Sequence, residues 1–154
     1  MKINKAGIDL IKKFEGCKLR PYKCPAGLWT VGVGTLIGNG KTLPPEWDRT
    51  FTMEEVDALL RKELEHIERR VGLYITYKLT ENQFSSLCSF VYNLGLGTLQ
   101  RSTLRQKLNR GDKEGAVKEL LKYNKARNPK TGVRQVLRGL DIRRKAEAEL
   151  FFKE

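Results

Sequence analysis

The chain has 154 residues, enough for one domain whose core needs no disulfide staples, and its 40% apolar content excludes a disordered chain. No run approaches the ~20 uninterrupted apolar residues of a membrane helix. Asp9, Lys12 and Lys13 interrupt the N-terminal stretch where a secretion signal needs an apolar core, so the expectation is a protein made and folded in a cytoplasm. The formal net charge of +12 is uneven, with nine Lys/Arg against four acids in residues 1–50, five against seven in 51–100 and sixteen against seven in 101–154. Such a field draws a protein to polyanions but does not choose among nucleic acid, anionic lipid and other anionic polymers.

In chain order, Asn4 caps a first helix with Ile8, Ile11 and Phe14 on one face, and Gly16 is a natural stop. From Cys17 to Leu43 glycines and prolines become dense. Within that stretch Trp29, Val31 and Val33 alternate with Thr30, Gly32 and Gly34, a strand period with one bulky and one nearly bare face. A small antiparallel sheet with tight turns is expected there. Thr52 with Glu55 has the form of a capping box and opens a long helix through Val56, Leu59, Leu60, Glu63 and Ile67. Thr80 with Gln83 repeats the device before Phe84, Leu87, Cys88 and Val91, and Gly95 and Gly97 end that helix. Asp112 caps a further helix, and a last one runs from about Gly139 to Phe152. The fold class expected is α+β, with the sheet segregated at one end and a cleft between sheet and helices as the natural binding site.

Cysteines 17, 24 and 88 are an odd number without metal-ligand spacing and read as reduced thiols. The lone His66 cannot build a metal site, and no metal or organic cofactor is implied. The residue that invites chemistry is Glu15. It falls in the last helical turn, where the exposed carbonyl ends and the neighbouring Phe14 favour a carboxyl that keeps its proton, as a general acid must. A surface glutamate at a helix end is the commoner meaning of that position. Thr30 shares the bare strand face with Gly32 and Gly34, a floor that a polymer could approach closely. Taken alone, those glycines more often serve bulges and turns.

Glu15, Cys24 and Thr30 in this order and spacing resemble the catalytic triple of the phage-type lysozymes, glycoside hydrolase family 24. Four ordered blocks carry the likeness along the whole chain. The first is Phe14, Glu15, Gly16, Leu19, Pro21 and Tyr22, and the second runs from Trp29 to Gly34. The third holds Asn82, Gln83, Phe84, Leu87, Ser89, Phe90, Asn93 and Gly95, and the fourth Gly139, Leu140, Arg143, Arg144 and Glu147. The resemblance implies a lysozyme-like fold, with a small sheet lobe at about 17–43, a long helix near 52–70, and a helical lobe at about 70–154 on which residues 1–15 pack. It implies an endolysin, a muramidase that cuts the β-1,4 bond between N-acetylmuramic acid and N-acetylglucosamine in peptidoglycan. Glu15 would be the acid and Thr30 would position water.

The second catalytic position is usually an aspartate, and here it is Cys24. A thiol serves only when partly ionised, and Lys18, Arg20 and Lys23 stand near enough in sequence to lower its pKa. It would act as base or as nucleophile. Thr35 stands where many members have histidine, and Tyr123 where tryptophan is common. By the same likeness the protein would wait in a host cytoplasm for a separate holin-type pore, act as a monomer on the glycan strand, and meet the anionic envelope through its basic last third.

Two rivals remain. A nucleic-acid module would need a recognition helix or a stacking platform, and neither is visible, so no specific nucleic-acid partner is expected. A non-catalytic cationic wall- or membrane-binding protein on the same fold is the other, motivated by the apolar and basic tail from Arg134 to Lys153. Against it, Leu140, Leu150 and Phe151 suit the core face of an ordinary final helix. Arg143 and Arg144 are expected to brace that helix through Glu147, Asn93 to serve a core hydrogen bond, and Trp29 and Trp47 to pack rather than stack on sugar.

Overall fold

Helix boundaries follow the capping chemistry. In the computed structural model, which describes residues 1–154, helix α1 spans Lys5–Glu15. The Asn4 side-chain oxygen accepts from the Gly7 amide at 3.0 Å, and Gly16 ends the helix at φ +83°, a conformation that costs glycine nothing. Strands β1 (Lys18–Lys23), β2 (Trp29–Gly32) and β3 (Thr35–Leu36) form an antiparallel sheet in that order. A 3₁₀ turn at Pro45–Trp47 precedes α2 (Met53–Tyr74). Five further helices are α3 (Glu81–Leu94), α4 (Leu96–Gln100), α5 (Thr103–Asn109), α6 (Lys113–Leu121) and α7 (Arg138–Phe152), and strands β4 (Lys125–Arg127) and β5 (Arg134–Val136) pair before α7. The class is α+β, as expected. No helix is long and apolar enough to cross a membrane.

The chain divides into two compact units, residues 11–66 and residues 1–10 with 67–154. In the first, Ile11, Val31, Val33, Ile37, Phe51, Val56, Leu60 and Leu64 are buried. The expected capping box opens α2, with the Glu55 amide donating to the Thr52 hydroxyl at 3.1 Å and the Thr52 amide to Glu55 at 3.0 Å. Arg49 forks onto the same carboxylate and, with the Thr52 amide, holds the Glu55 carboxyl down at about 2.

In the second unit α3 is buried at every position from Gln83 to Val91, as a helix at the centre of a core must be. Its Thr80–Gln83 box is fully formed. Serines 85, 86 and 89 are small enough to let other helices approach, so a Cβ on Gly7 would come within 2.7 Å of Ser85. Charged groups that this packing buries are paired within α7 and with α3. Glu147 lies 2.6 Å from Arg144 and 3.3 Å from Arg143, Ser89 donates to it at 2.6 Å, and Arg144 donates to Asn93 at 2.8 Å. The expected partnership of Arg143, Arg144 and Glu147 is therefore present, and Asn93 serves as its acceptor. Leu150 and Phe151 are buried, so the last helix is a core helix. Tyr123 packs edge-on to Phe90 at 5.1 Å.

Three features depart from the sequence reading. The alternation from Trp29 to Gly34 does not continue as strand, because β2 ends at Gly32 and Val33 and Gly34 make the turn into β3. Helices α4 and α5 and the β4–β5 hairpin were not expected. The bare face of β2 also has a packing cause at one position. A Cβ on Gly32, which sits at φ +69°, would lie 2.8 Å from a Val56 methyl on α2. Gly32 is bare so that a helix can approach, and not as part of an open floor.

Candidate active site

All three candidate residues lie in the unit of residues 11–66. Glu15 is the last residue of α1 and is exposed. The glycine stop places it: with Gly16 in the left-handed region the chain leaves the helix axis directly after the carboxylate and enters β1 at Lys18. Cys24 follows β1 by one residue and opens the tight connection to β2, in which the Gly27 amide donates to the Cys24 carbonyl at 2.8 Å and the Cys24 amide to Leu28 at 2.9 Å. Thr30 lies within β2 and is only 4% exposed.

Strand register gathers them. Tyr22 of β1 stands directly opposite Thr30 of β2, and directly paired residues share one face of a sheet. Partial burial, then negative charge on Cys24, Glu15 and Cys17, raises the Tyr22 phenol above its ordinary value. The negative charges of Cys24 and Glu15 both act on Tyr22, whose ladder partner is Thr30. Tyr22 was read only as part of a sequence block, without a role. The signal that could have found it is positional, two residues before Cys24 on an alternating strand.

The Cys24 thiol is held below the ordinary cysteine value, the direction the sequence suggested. The cause is different. Backbone N–H groups of Leu28 and then Ala26 stabilise the thiolate, with the Thr30 hydroxyl adding to them against a modest burial cost. The cations expected to do this are engaged elsewhere: Lys18 over the Tyr22 ring at 4.4 Å, Lys23 over Trp29 at 5.4 Å, and Arg20 with Thr50 at 3.1 Å and Asp48 at 3.5 Å. The Thr30 hydroxyl has one proton, which the Leu28 carbonyl accepts at 3.0 Å. Rotation of that hydroxyl toward sulfur links Thr30 to the charge state of Cys24.

Other thiols differ in kind. Cys88 is buried in α3, and desolvation pushes it far up, out of reach of ordinary chemistry. Cys17 lies 4.0 Å from the Met53 sulfur. The exposed His66 on α2 has no part in the site. Trp47 packs against Phe51 with ring centroids 5.5 Å apart, as expected of a packing residue.

A thiolate-prone cysteine, a carboxylic acid at a helix end and a hydroxyl in the adjoining sheet are the equipment of hydrolysis by acid with a base or nucleophile. An endolysin of Acyrthosiphon pisum secondary endosymbiont phage 1 is 38% identical over 151 residues, which is 98% of each chain. An endolysin of Bacillus phage B103 is 37% identical over 98% of this chain, which spans about half of that longer relative (54%). Among solved structures, the muramidase domain of SpmX from Asticcacaulis excentricus superposes with a TM-score of 0.85 at 32% identity over 99% of both chains. The fold is lysozyme-like. The family model for phage lysozyme matches residues 12–147, and the chain belongs to that family.

Proposed function

We propose that this protein is a peptidoglycan-hydrolysing endolysin in which Glu15, Cys24 and Thr30 carry a muramidase reaction on the β-1,4 bond between N-acetylmuramic acid and N-acetylglucosamine. The observation that supports the reading is the register that sets Thr30 beside Tyr22, two residues before Cys24, in a chain of the phage lysozyme family. Glu15 gives its proton to the glycosidic oxygen as the bond to the anomeric carbon breaks, so the leaving sugar departs as a neutral alcohol. Two courses are open to the Cys24 thiolate. As base it takes a proton from the water that attacks the anomeric carbon, and as nucleophile it forms a glycosyl–sulfur bond that water then hydrolyses. Thr30 orients the water. The anomer released first distinguishes the two courses.

The whole chain acts as one lysozyme-like domain and as a monomer, with water as second substrate. It accumulates in the host cytoplasm and reaches the wall after a separate pore protein opens the inner membrane. The basic residues of its last third hold it at the anionic envelope.

The decisive experiment is turbidity loss of chloroform-treated Gram-negative cell walls by wild type and Glu15→Gln, matched for folding by circular dichroism. Loss of a general acid typically costs about 10²–10⁴-fold in rate, and that loss is expected. Equal clearing by both proteins would assign lysis to the cationic surface and remove the enzymatic reading.

A further inference from the structure

The β4–β5 hairpin combines exposed cations with an exposed valine. Its register pairs Lys125 with Val136, Ala126 with Gln135 and Arg127 with Arg134. Directly opposed residues point to one side, so Lys125, Arg127, Arg134 and Val136 share a face. No third strand covers it. All three residues of β5 are exposed, with Val136 at 54%, and Val133 in the connecting turn is 60% exposed. A two-stranded ribbon is marginal on its own, and two arginines directly opposite each other weaken it further.

Six cations stand between residues 122 and 138 (Lys122, Lys125, Arg127, Lys130, Arg134 and Arg138), and no Asp or Glu occurs from Leu120 to Leu140. The segment is thus unlike α7, whose cations are interleaved with Asp141, Glu147 and Glu149 and whose Leu150 and Phe151 are buried. Arg127 is tethered to the Gly132 carbonyl at 3.0 Å, which holds its guanidinium at the ribbon's closed end.

We infer that this face of the hairpin docks on the surface of an anionic phospholipid bilayer, with Lys125, Arg127 and Arg134 on lipid phosphates and Val136 in the headgroup layer. It names the surface and the partner within the envelope attraction proposed above, and rests on that reading for its setting. Charge complementarity requires an anionic partner, and an anion between Arg127 and Arg134 relieves their repulsion. The exposed Val136 selects lipid among polyanions, because an aliphatic side chain gains only where the partner has apolar depth. The ribbon has no aromatic residue from Lys125 to Val136 on which a base or a sugar could stack.

The test is co-sedimentation of the full chain with vesicles of phosphatidylglycerol and phosphatidylcholine, against phosphatidylcholine alone. Wild type is expected on the anionic vesicles only. Arg127→Gln/Arg134→Gln should lower partitioning about 25-fold, at about fivefold per cation removed, while its thermal midpoint stays level or rises as the repulsion is removed. Val136→Ser should lower partitioning severalfold, and most visibly in salt high enough to screen the charges. Failure of wild type to bind, or wild-type binding by the arginine variant, would overturn the proposal. Wild-type binding by the serine variant would also overturn it, by making the face a general polyanion surface. Hydrolysis of soluble glycan by the wild type is scored separately. Hydrolysis without vesicle binding defeats this proposal alone, and vesicle binding without hydrolysis defeats the enzymatic reading alone.

Discussion

Cys24 concentrates the chemistry of the site in one titration. Two amide N–H groups from its own turn favour the thiolate, so its reactivity should appear at lower pH than that of an ordinary cysteine. Cys88, desolvated in α3, should stay silent until the protein unfolds. Alkylation followed by peptide mass spectrometry across pH should therefore modify Cys24 with a midpoint below that of an unperturbed cysteine, and leave Cys88 unmodified. In parallel, Cys24→Ser should nearly abolish wall hydrolysis with the fold intact, because a serine hydroxyl does not ionise near neutral pH. Cys24→Asp should retain hydrolysis, because a carboxylate restores the negative group. A fully active serine variant would remove the thiol from the mechanism.

Gly32 ties an element to that residue-level chemistry. It sits at φ +69° with Val56 2.8 Å from where a Cβ would stand, and it closes the strand that carries Thr30. Gly32→Ala combines a left-handed alanine, about 1–2 kcal/mol, with overpacking of about 1–3 kcal/mol. A loss of about 2–5 kcal/mol should be read from urea unfolding. Adding Val56→Ala should return the overpacking part and not the backbone part. No change in the single variant would mean that the strand end relaxes freely.

Four helix starts were legible in the sequence, because a cap is a local device: Asn4, Thr52 with Glu55, Thr80 with Gln83, and Asp112 all act within three residues, whereas the Ser102 cap of α5 went unread because no apolar period follows it. Helices α4 and α5, of five and seven residues, are too short to show a period, and β5 is exposed on both faces and so shows no alternation. Gly32 was misread because a missing side chain looks the same whether it leaves room for a ligand or for Val56. Glu15 was legible from its helix end. Thr30 drew notice from its place on the bare strand face, whereas Cys24 entered only through family likeness, since a turn cysteine has no chemical signature until Leu28 and Ala26 surround it.

At the scale of the whole molecule the charge is the property left to account for. Sixteen basic residues against seven acidic ones in 101–154 form a field that acts over about one Debye length, ~10 Å at 0.1 M salt and ~3 Å at 1 M. Attraction to a polyanionic wall raises encounter rates by about 10–10³-fold at low salt. Bond cleavage at the proposed Glu15–Cys24 site would depend on groups in contact with the sugar and be screened far less. Ionic strength should therefore separate the two. Between low and high salt, lysis of intact wall fragments should slow by tenfold or more on this estimate, while turnover of short soluble glycan fragments, which bear few charges each, stays within about twofold. A parallel fall in both would place the salt-sensitive interaction in the catalytic site itself. A fall in neither would leave the basic last third without a part in reaching the wall.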